Sequence, residues 1–252
     1  MPGPPRRLTA RSVVLSVLLG AHPAHADAAE LIRLTDDFGI RDTTLRVALT
    51  RLVGAGDLIR SDDGYRLAPR LLARQRRQDE ALDPQTRSWH GDWTTLIITS
   101  IGNDARSRAE LRTTLQHHRF AELREGVWMR PDNLRPVLDD ATAARLRVLR
   151  SRDSAPRELA RQLWDLTRWA RDGEALLTEM ADAGDVPGRF VVAAAIVRLL
   201  LTDPVLPSEL LPDRWPGERL RRAYREFAAE FSARLPGGAA HPEFAADSVE
   251  VS

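Results

Sequence analysis

The chain has 252 residues, 43% hydrophobic and 29% charged, with a formal net charge of +1. That is a globular composition, which excludes a disordered or collagenous chain, and the length allows one large domain or two to three small ones. The chain holds no cysteine. This excludes a disulfide framework, zinc–thiolate and iron–sulfur sites, and a thiol nucleophile.

All 37 basic residues are Arg, because Lys is absent. A GC-rich genome explains such a bias. Arg forks also serve phosphate and base recognition better than Lys does, and composition alone does not choose. The charge is uneven: residues 1–87 hold 14 Arg against 11 Asp plus Glu, a net of +3, and the remainder nets −2.

Arg6 and Arg7, the apolar run Val13 to Leu19, and Ala24-His25-Ala26 mimic a secretory signal with its cleavage site. The apolar run is short, is interrupted by Ser16, and reads better as an amphipathic helix over Arg11–Leu19 with Thr9 as cap. We therefore expect a cytoplasmic protein. A second helix is predicted over Ala26–Phe38, stopped by Gly39, and a third over Thr43–Gly54 with Asp42 as N-cap. Leu45, Ala48, Leu49 and Leu52 fall on one face of that third helix. Leu58-Ile59-Arg60 and Tyr65-Arg66-Leu67 flank Ser61-Asp62-Asp63-Gly64, a strong hairpin signal.

Arg74 to Arg87 is polar, contains Pro84, and reads as an extended linker or an exposed helix end. The next segment alternates: a strand over Thr94–Ile101, a helix over Ala105–His118, strands over Phe120–Leu123 and Gly126–Met129, a helix over Asn133–Asp140, and a strand over Ala144–Leu149. The order β-α-β-β-α-β is that of a ferredoxin-like sheet with helices on one face. Three helices are predicted after it, over Arg157–Met180, Phe190–Leu201 and Glu218–Leu235. Phe190–Leu201 contains Arg198 and is too short to span a bilayer, so no membrane partner is expected. The fold class is thus α+β. We expect a winged helix-turn-helix domain over 1–73, a linker over 74–88, a ferredoxin-like middle domain over 89–152, a helical domain over 153–236, and a disordered tail over 237–252.

Three helices and a hairpin make a winged helix-turn-helix layout, in which the third helix buries one face and offers the other to the major groove. Burying the Leu face leaves Thr43, Thr44, Arg46, Val47, Thr50 and Arg51 outward, a face without acids. Arg can fork onto guanine, and Thr can meet phosphate or a thymine methyl. Arg60 and Arg66 lie on the wing, where backbone contacts fall, and Arg41 precedes the helix. The alternatives are an exposed helix with incidental ion pairs, or a winged fold used for protein contacts.

Four stretches carry a resemblance to a known family. They are Phe38-Gly39-Ile40 with Leu45 to Leu52; Trp89, Gly91 and Trp93; Phe120 to Pro131 (FAELREGVWMRP); and Asp203 to Pro207 with Leu210-Leu211-Pro212 and Trp215-Pro216-Gly217. With them the chain resembles the PaaX family of bacterial transcriptional repressors of phenylacetate catabolism and related pathways. The resemblance implies a winged N-terminal domain, a central ferredoxin-like domain and a helical C-terminal domain. It also implies a homodimer on an inverted-repeat operator in double-stranded DNA, released by an acyl- or aryl-CoA effector, phenylacetyl-CoA in the founding case.

An anionic thioester calls for Arg and an aromatic face. Trp93, Arg124, Trp128 and Arg130 meet that requirement and are the expected effector residues; the alternative is that both Trp residues anchor the core. His22, His25, His90, His117, His118 and His241 show no metal-ligand spacing, and neither a Gly-rich phosphate loop nor a GxSxG elbow occurs, so no cofactor or metal is expected. Two further function classes compete with a non-enzymatic regulator. The middle domain resembles the ferredoxin-like nucleases of CRISPR adaptation, whose metal-holding Asp would correspond to Asp104; a cap for the helix from Ala105 is the alternative. The stripe Leu220, Tyr224, Phe227 and Phe231 could serve a protein-interaction scaffold, a domain core or a dimer seam.

Overall fold

A computed structural model describes residues 8–100, 104–135 and 138–233. Helix α1 (Ala10–Gly20) opens on a capping box: the Thr9 hydroxyl accepts from the Ser12 amide at 3.2 Å, and the Ser12 hydroxyl accepts from the Thr9 amide at 3.0 Å. Helix α2 (Ala28–Asp36) opens on a second box formed by Asp27 and Glu30. The chain then turns at Gly39, whose φ of +62° suits a residue without Cβ.

Helix α3 (Asp42–Gly54) follows. Asp42, expected as its cap, is instead the first helical residue; Arg41 holds the cap position without a side-chain bond. Leu45, Leu49 and Leu52 are buried in one core with Val14, Leu18 and Leu31, which is the 3.6-residue periodicity at work. Strand β1 (His25–Ala26), absent from the sequence expectation, pairs with β3 (Gly64–Leu67), which forms the expected hairpin with β2 (Leu58–Ser61). A Cβ on Gly64 would stand 2.5 Å from the Ala26 carbonyl, so only glycine lets β1 lie there.

The stretch expected as a linker is helical as far as Leu82, in α4 (Pro69–Leu82). Its polar sequence hid the reason. The buried Gln75 amide donates to the carbonyls of Leu18, Leu19 and Ala21 at the end of α1, at 3.3, 3.2 and 2.8 Å.

A second sheet holds β4 (Asp92–Ile98), β5 (Ala121–Arg124), β6 (Val127–Pro131) and β7 (Leu146–Arg152), in the order β5-β6-β4-β7 with every neighbour antiparallel. Helix α5 (Ala105–His117) joins β4 to β5, and α6 (Asp140–Ala143) lies between β6 and β7. The predicted end of the first strand at Ile101 falls outside the described residues. The helix expected over Asn133–Asp140 is the single turn α6. Asn133 instead sits in a turn, donating to the Val205 carbonyl at 2.8 Å, and Asp139 caps α6 at the Thr142 amide.

Both faces of this sheet are covered. Leu96 and Trp128 pack with Leu111, Leu115 and Phe120. Trp93 and Met129, on the other face, pack with Leu159 and Ala160 of α7 (Pro156–Leu163) and with Leu166, Leu206 and Leu210. One helix was expected over Arg157–Met180; two occur, α7 and α8 (Leu166–Asp182). The break lies at Trp164, which is extended, and the Asp165 carboxylate accepts from the Arg168 amide at 3.0 Å to start the new helix. Helices α9 (Val186–Leu200) and α10 (Gly217–Ser232) complete the described chain, with one 3₁₀ turn at Ser208–Leu210 between them. No helix among the described residues is long and apolar enough to cross a membrane. The tail from residue 237 lies outside the described residues.

Internal contacts gather the chain into two units. One comprises the chain to Asp79, Leu177–Val197 and the chain from Arg221; the other comprises Glu80–Leu176 and Arg198–Leu220. In the first, Phe227 and Phe231 of α10 meet Phe190 of α9 at ring separations of 6.3 and 5.6 Å, and Phe38 meets Phe190 at 5.0 Å. The aromatic stripe weighed as a partner-binding face is therefore largely committed to the core of its own unit. In the second, Trp169 and Trp215 stack at 4.3 Å.

Candidate nucleic-acid interface

Helix α3 is fixed by its Leu face, so its other side must face solvent. Thr43, Thr44, Arg46, Val47, Thr50 and Arg51 are all exposed, as is Arg41 ahead of the helix. Val47 is 50% exposed and adds one apolar side chain to this polar face. The Thr50 hydroxyl donates back to the Arg46 carbonyl at 3.0 Å.

A groove of about 580 Å³ runs between α3 and the start of α1, lined by Thr9, Arg11, Thr43, Thr44, Val47 and Arg51 among others. Arg11 was not singled out in the sequence. Its Nη2 bonds Asp57 at 2.8 Å, and Arg70 bonds the other Asp57 oxygen at 2.5 Å. Asp57 is buried, whereas the Arg11 side chain is 57% exposed. The carboxylate thus holds one guanidinium at the rim of the groove. Because 46 residues separate Arg11 from Asp57, no local sequence signal could have found the pair; only the α1-to-hairpin packing brings them together.

Arg60 and Arg66 are both exposed on the hairpin. The register pairs Arg60 with Tyr65 and Arg66 with Ile59. Cross-strand partners share a face and neighbours alternate, so the two guanidiniums leave on opposite faces of the ribbon. Arg41, Arg46, Arg51, Arg60 and Arg66 make no ion pair among the described residues.

The four expected effector residues are not gathered. Trp93 and Trp128 are both essentially fully buried, on opposite faces of the sheet. Arg112 lies over the Trp128 ring at 5.7 Å. Arg124 is exposed. Arg130 is 2% exposed, lies over the Phe120 ring at 4.8 Å, and bonds the carbonyls of His118 and Leu134. Burial pulls its guanidinium down to about 10, against the influence of Asp132, so it stays charged at neutral pH. Burial and the nearby Arg130 hold His118 below the ordinary imidazole range.

Asp104 accepts from the Ser107 amide at 2.7 Å as the cap of α5. Among the described residues no group of three His, Asp or Glu side chains could hold a metal ion. The carboxylate weighed as a nuclease residue therefore has a structural task as a helix cap.

Comparison with known proteins bears on this geometry. The family described as PaaX-like protein matches residues 9–71. The PaaX protein central Cas2-like domain matches residues 86–157, and the PaaX-like protein C-terminal domain matches residues 161–237. Transcriptional repressor PaaX of Escherichia coli (strain K12) is 26% identical over 223 residues, spanning 76% of this chain and 70% of that protein. A solved structure, described as uncharacterized protein Rv0674 from Mycobacterium tuberculosis, is 68% identical. It superposes with a TM-score of 0.80 over 90% of this chain and 97% of that one. Read with the three consecutive matches, these likenesses establish that the chain belongs to the PaaX family.

Proposed function

We propose that the chain is a DNA-binding transcriptional regulator, a dimeric repressor that reads its operator with α3. The observation that carries this reading is the outward face of α3: two unpaired guanidiniums, three Thr hydroxyls and one exposed Val over a wholly buried Leu face, with Asp42 in the first turn as the one exposed acid of the helix. Such a face matches the major-groove pattern of guanine acceptors and thymine methyls. The E. coli relative, described as a transcriptional repressor, supports the same reading.

We read α1 to α3 with the hairpin as a winged helix-turn-helix, and the β5-β6-β4-β7 sheet as ferredoxin-like. In this arrangement Arg11 and the start of α1 meet the phosphate backbone beside the groove, a favourable place for an anion. Arg41, Arg60 and Arg66 add backbone contacts. A two-fold dimer places two such heads on an inverted repeat. An acyl- or aryl-CoA-type effector that releases the operator belongs to this reading, and Arg124 offers it exposed charge.

Genome-wide footprinting of the full chain tests the proposal. A small set of sites sharing an inverted repeat is expected, with occupancy falling when acyl- and aryl-CoA esters are added. Absence of any enriched site would overturn the regulator reading. Sites that ignore every ester would remove the effector alone.

A further inference from the structure

Beyond closing the end of α1, helix α4 presents a charged surface. Residues 69–77 hold four Arg and no acid. The helix is fixed about its axis by two buried amides. Gln75 donates to the carbonyls at the end of α1, and Gln78 donates to the Tyr224 hydroxyl at 3.3 Å. Arg70, Arg74 and Arg77 follow one another at i, i+4 and i+7, and so form one stripe along the helix. Arg70 and Arg74 are exposed and Arg77 is half-buried. Arg76 lies about 100° or more round the helix from each of them.

The stripe starts beside the DNA-facing groove. Arg70 and Arg11 take the two oxygens of one carboxylate, that of the buried Asp57, and the Arg70 side chain remains 59% exposed. Arg11 in turn lines the groove together with Arg51. Arg74 and Arg77 make no ion pair among the described residues. Arg70 stands with Arg11 at the start of α1, whereas Gln75 bonds its end, so α4 runs alongside α1 and carries the stripe away from the groove. From Arg70 to Arg77 it covers about 10 Å of helix. The row from Arg51 through Arg11 to Arg77 thus lies within the first unit.

We propose that Arg70, Arg74 and Arg77 form a second nucleic-acid surface, which binds the phosphate backbone of duplex DNA beyond the base pairs that α3 reads. The proposal rests on the DNA-binding reading and adds to it a contact indifferent to base sequence. Successive unpaired guanidiniums repel one another in the free chain and call for a partner with equally regular negative charge. A DNA backbone supplies it. An anionic membrane is the poorer match, because binding there needs apolar side chains at the edge of the charged face. Leu71 and Leu72 of α4 are instead packed against the core of the first unit.

The test is binding of the full chain to a labelled duplex of about 30 base pairs and arbitrary sequence, followed by fluorescence anisotropy over a series of salt concentrations. R74A/R77A should lower the slope of log affinity against log salt by about 2 and weaken binding at least tenfold near 0.1 M salt. Its circular dichroism spectrum and melting should be those of the parent. R76A removes the same charge from the same helix but off the stripe, and should leave the slope unchanged. If the double variant melts below the parent, R74A alone decides, with a slope lower by about 1. A parent slope in R74A/R77A, an equal loss in R76A, or tighter binding to phosphatidylserine vesicles than to the duplex would each overturn the proposal. Because the duplex is arbitrary, base reading by α3 does not enter this measurement; failure of that reading shows separately, as parent-like binding of R46A and R51A to the operator.

Discussion

Arg46 and Arg51 on α3, with Arg41, Arg60 and Arg66 around them, make no ion pair among the described residues. Around the four-stranded sheet several Arg are neutralised by carboxylates instead, although Arg124, Arg130 and Arg147 on its strands make no ion pair among the described residues. Arg87 and Arg150 share Asp132, Arg152 holds Asp92 at 2.6 Å, and Arg112 holds Glu122. A guanidinium facing a carboxylate keeps only its outer N–H groups for a phosphate, as proposed for Arg11, whereas one facing water offers its whole fork and releases counterions from the DNA. The proposed function thus gives one residue type two purposes, internal bracing and external recognition. On the proposed reading, that difference is why a net charge of +1 and a uniform preference for Arg conceal a DNA-reading surface.

The largest expected effect comes from removing what orients the unpaired set. L49A empties a site that is 2% exposed at the centre of the α3 seam. It should cost about 2–5 kcal/mol of stability, read by denaturant unfolding, and should abolish DNA binding with it. D57A is next. It frees Arg11 and Arg70 together and removes a buried carboxylate, for roughly 2 kcal/mol by the worth of charged hydrogen bonds. Operator affinity should fall in D57A even when measured well below its melting temperature; unchanged affinity would remove Arg11 from the interface.

R60A and R66A sharpen the account of the wing. Each should leave stability unchanged and reduce the slope of log affinity against log salt by about 1, as for a lost phosphate contact. Because the two side chains leave opposite faces of the ribbon, a result in which only one changes the slope would show which face meets DNA.

A smaller, pH-linked effect marks the second unit. His118 takes its proton near 6.5 when unfolded and only at lower pH when folded. The unfolded chain therefore binds more protons between those two values, so stability falls as pH drops through that window. H118Q should flatten this slope in melts between pH 7.5 and 5. An equally steep slope in the variant would place the titrating group elsewhere.

The parts of this molecule legible in sequence were those governed by local periodicity. The Leu spacing of α3, the Asp-Gly turn before Tyr65 and the alternation around Trp93 are all set within a dozen residues. What escaped was set at long range. Strand β1 has two residues and exists because Gly64 has no Cβ to exclude it. Helix α4 reads as polar surface, yet Gln75 is buried because it closes the end of α1. The break between α7 and α8 turns on one carboxylate, Asp165, inside an otherwise continuous helical pattern. For the interface, the exposed residues of α3 followed from its buried face, whereas Arg11 required knowing what Asp57 touches. The two Trp residues expected around an effector were drawn in by aromatic chemistry alone; the register places Trp128 opposite Leu96 and sends Trp93 to the other face.

The central claim is that unpaired α3 guanidiniums, and not arginines in general, read DNA. Its most direct test is operator binding at one fixed salt concentration by R46A, R51A and R150A, each first shown to melt as the parent does. A residue forked onto a base is worth about 1–3 kcal/mol, so at least one of R46A and R51A should bind roughly 5- to 150-fold more weakly. R150A, whose guanidinium belongs to Asp132, should bind as the parent does. Wild-type affinity in both α3 variants, or an equal loss in R150A, would contradict the account.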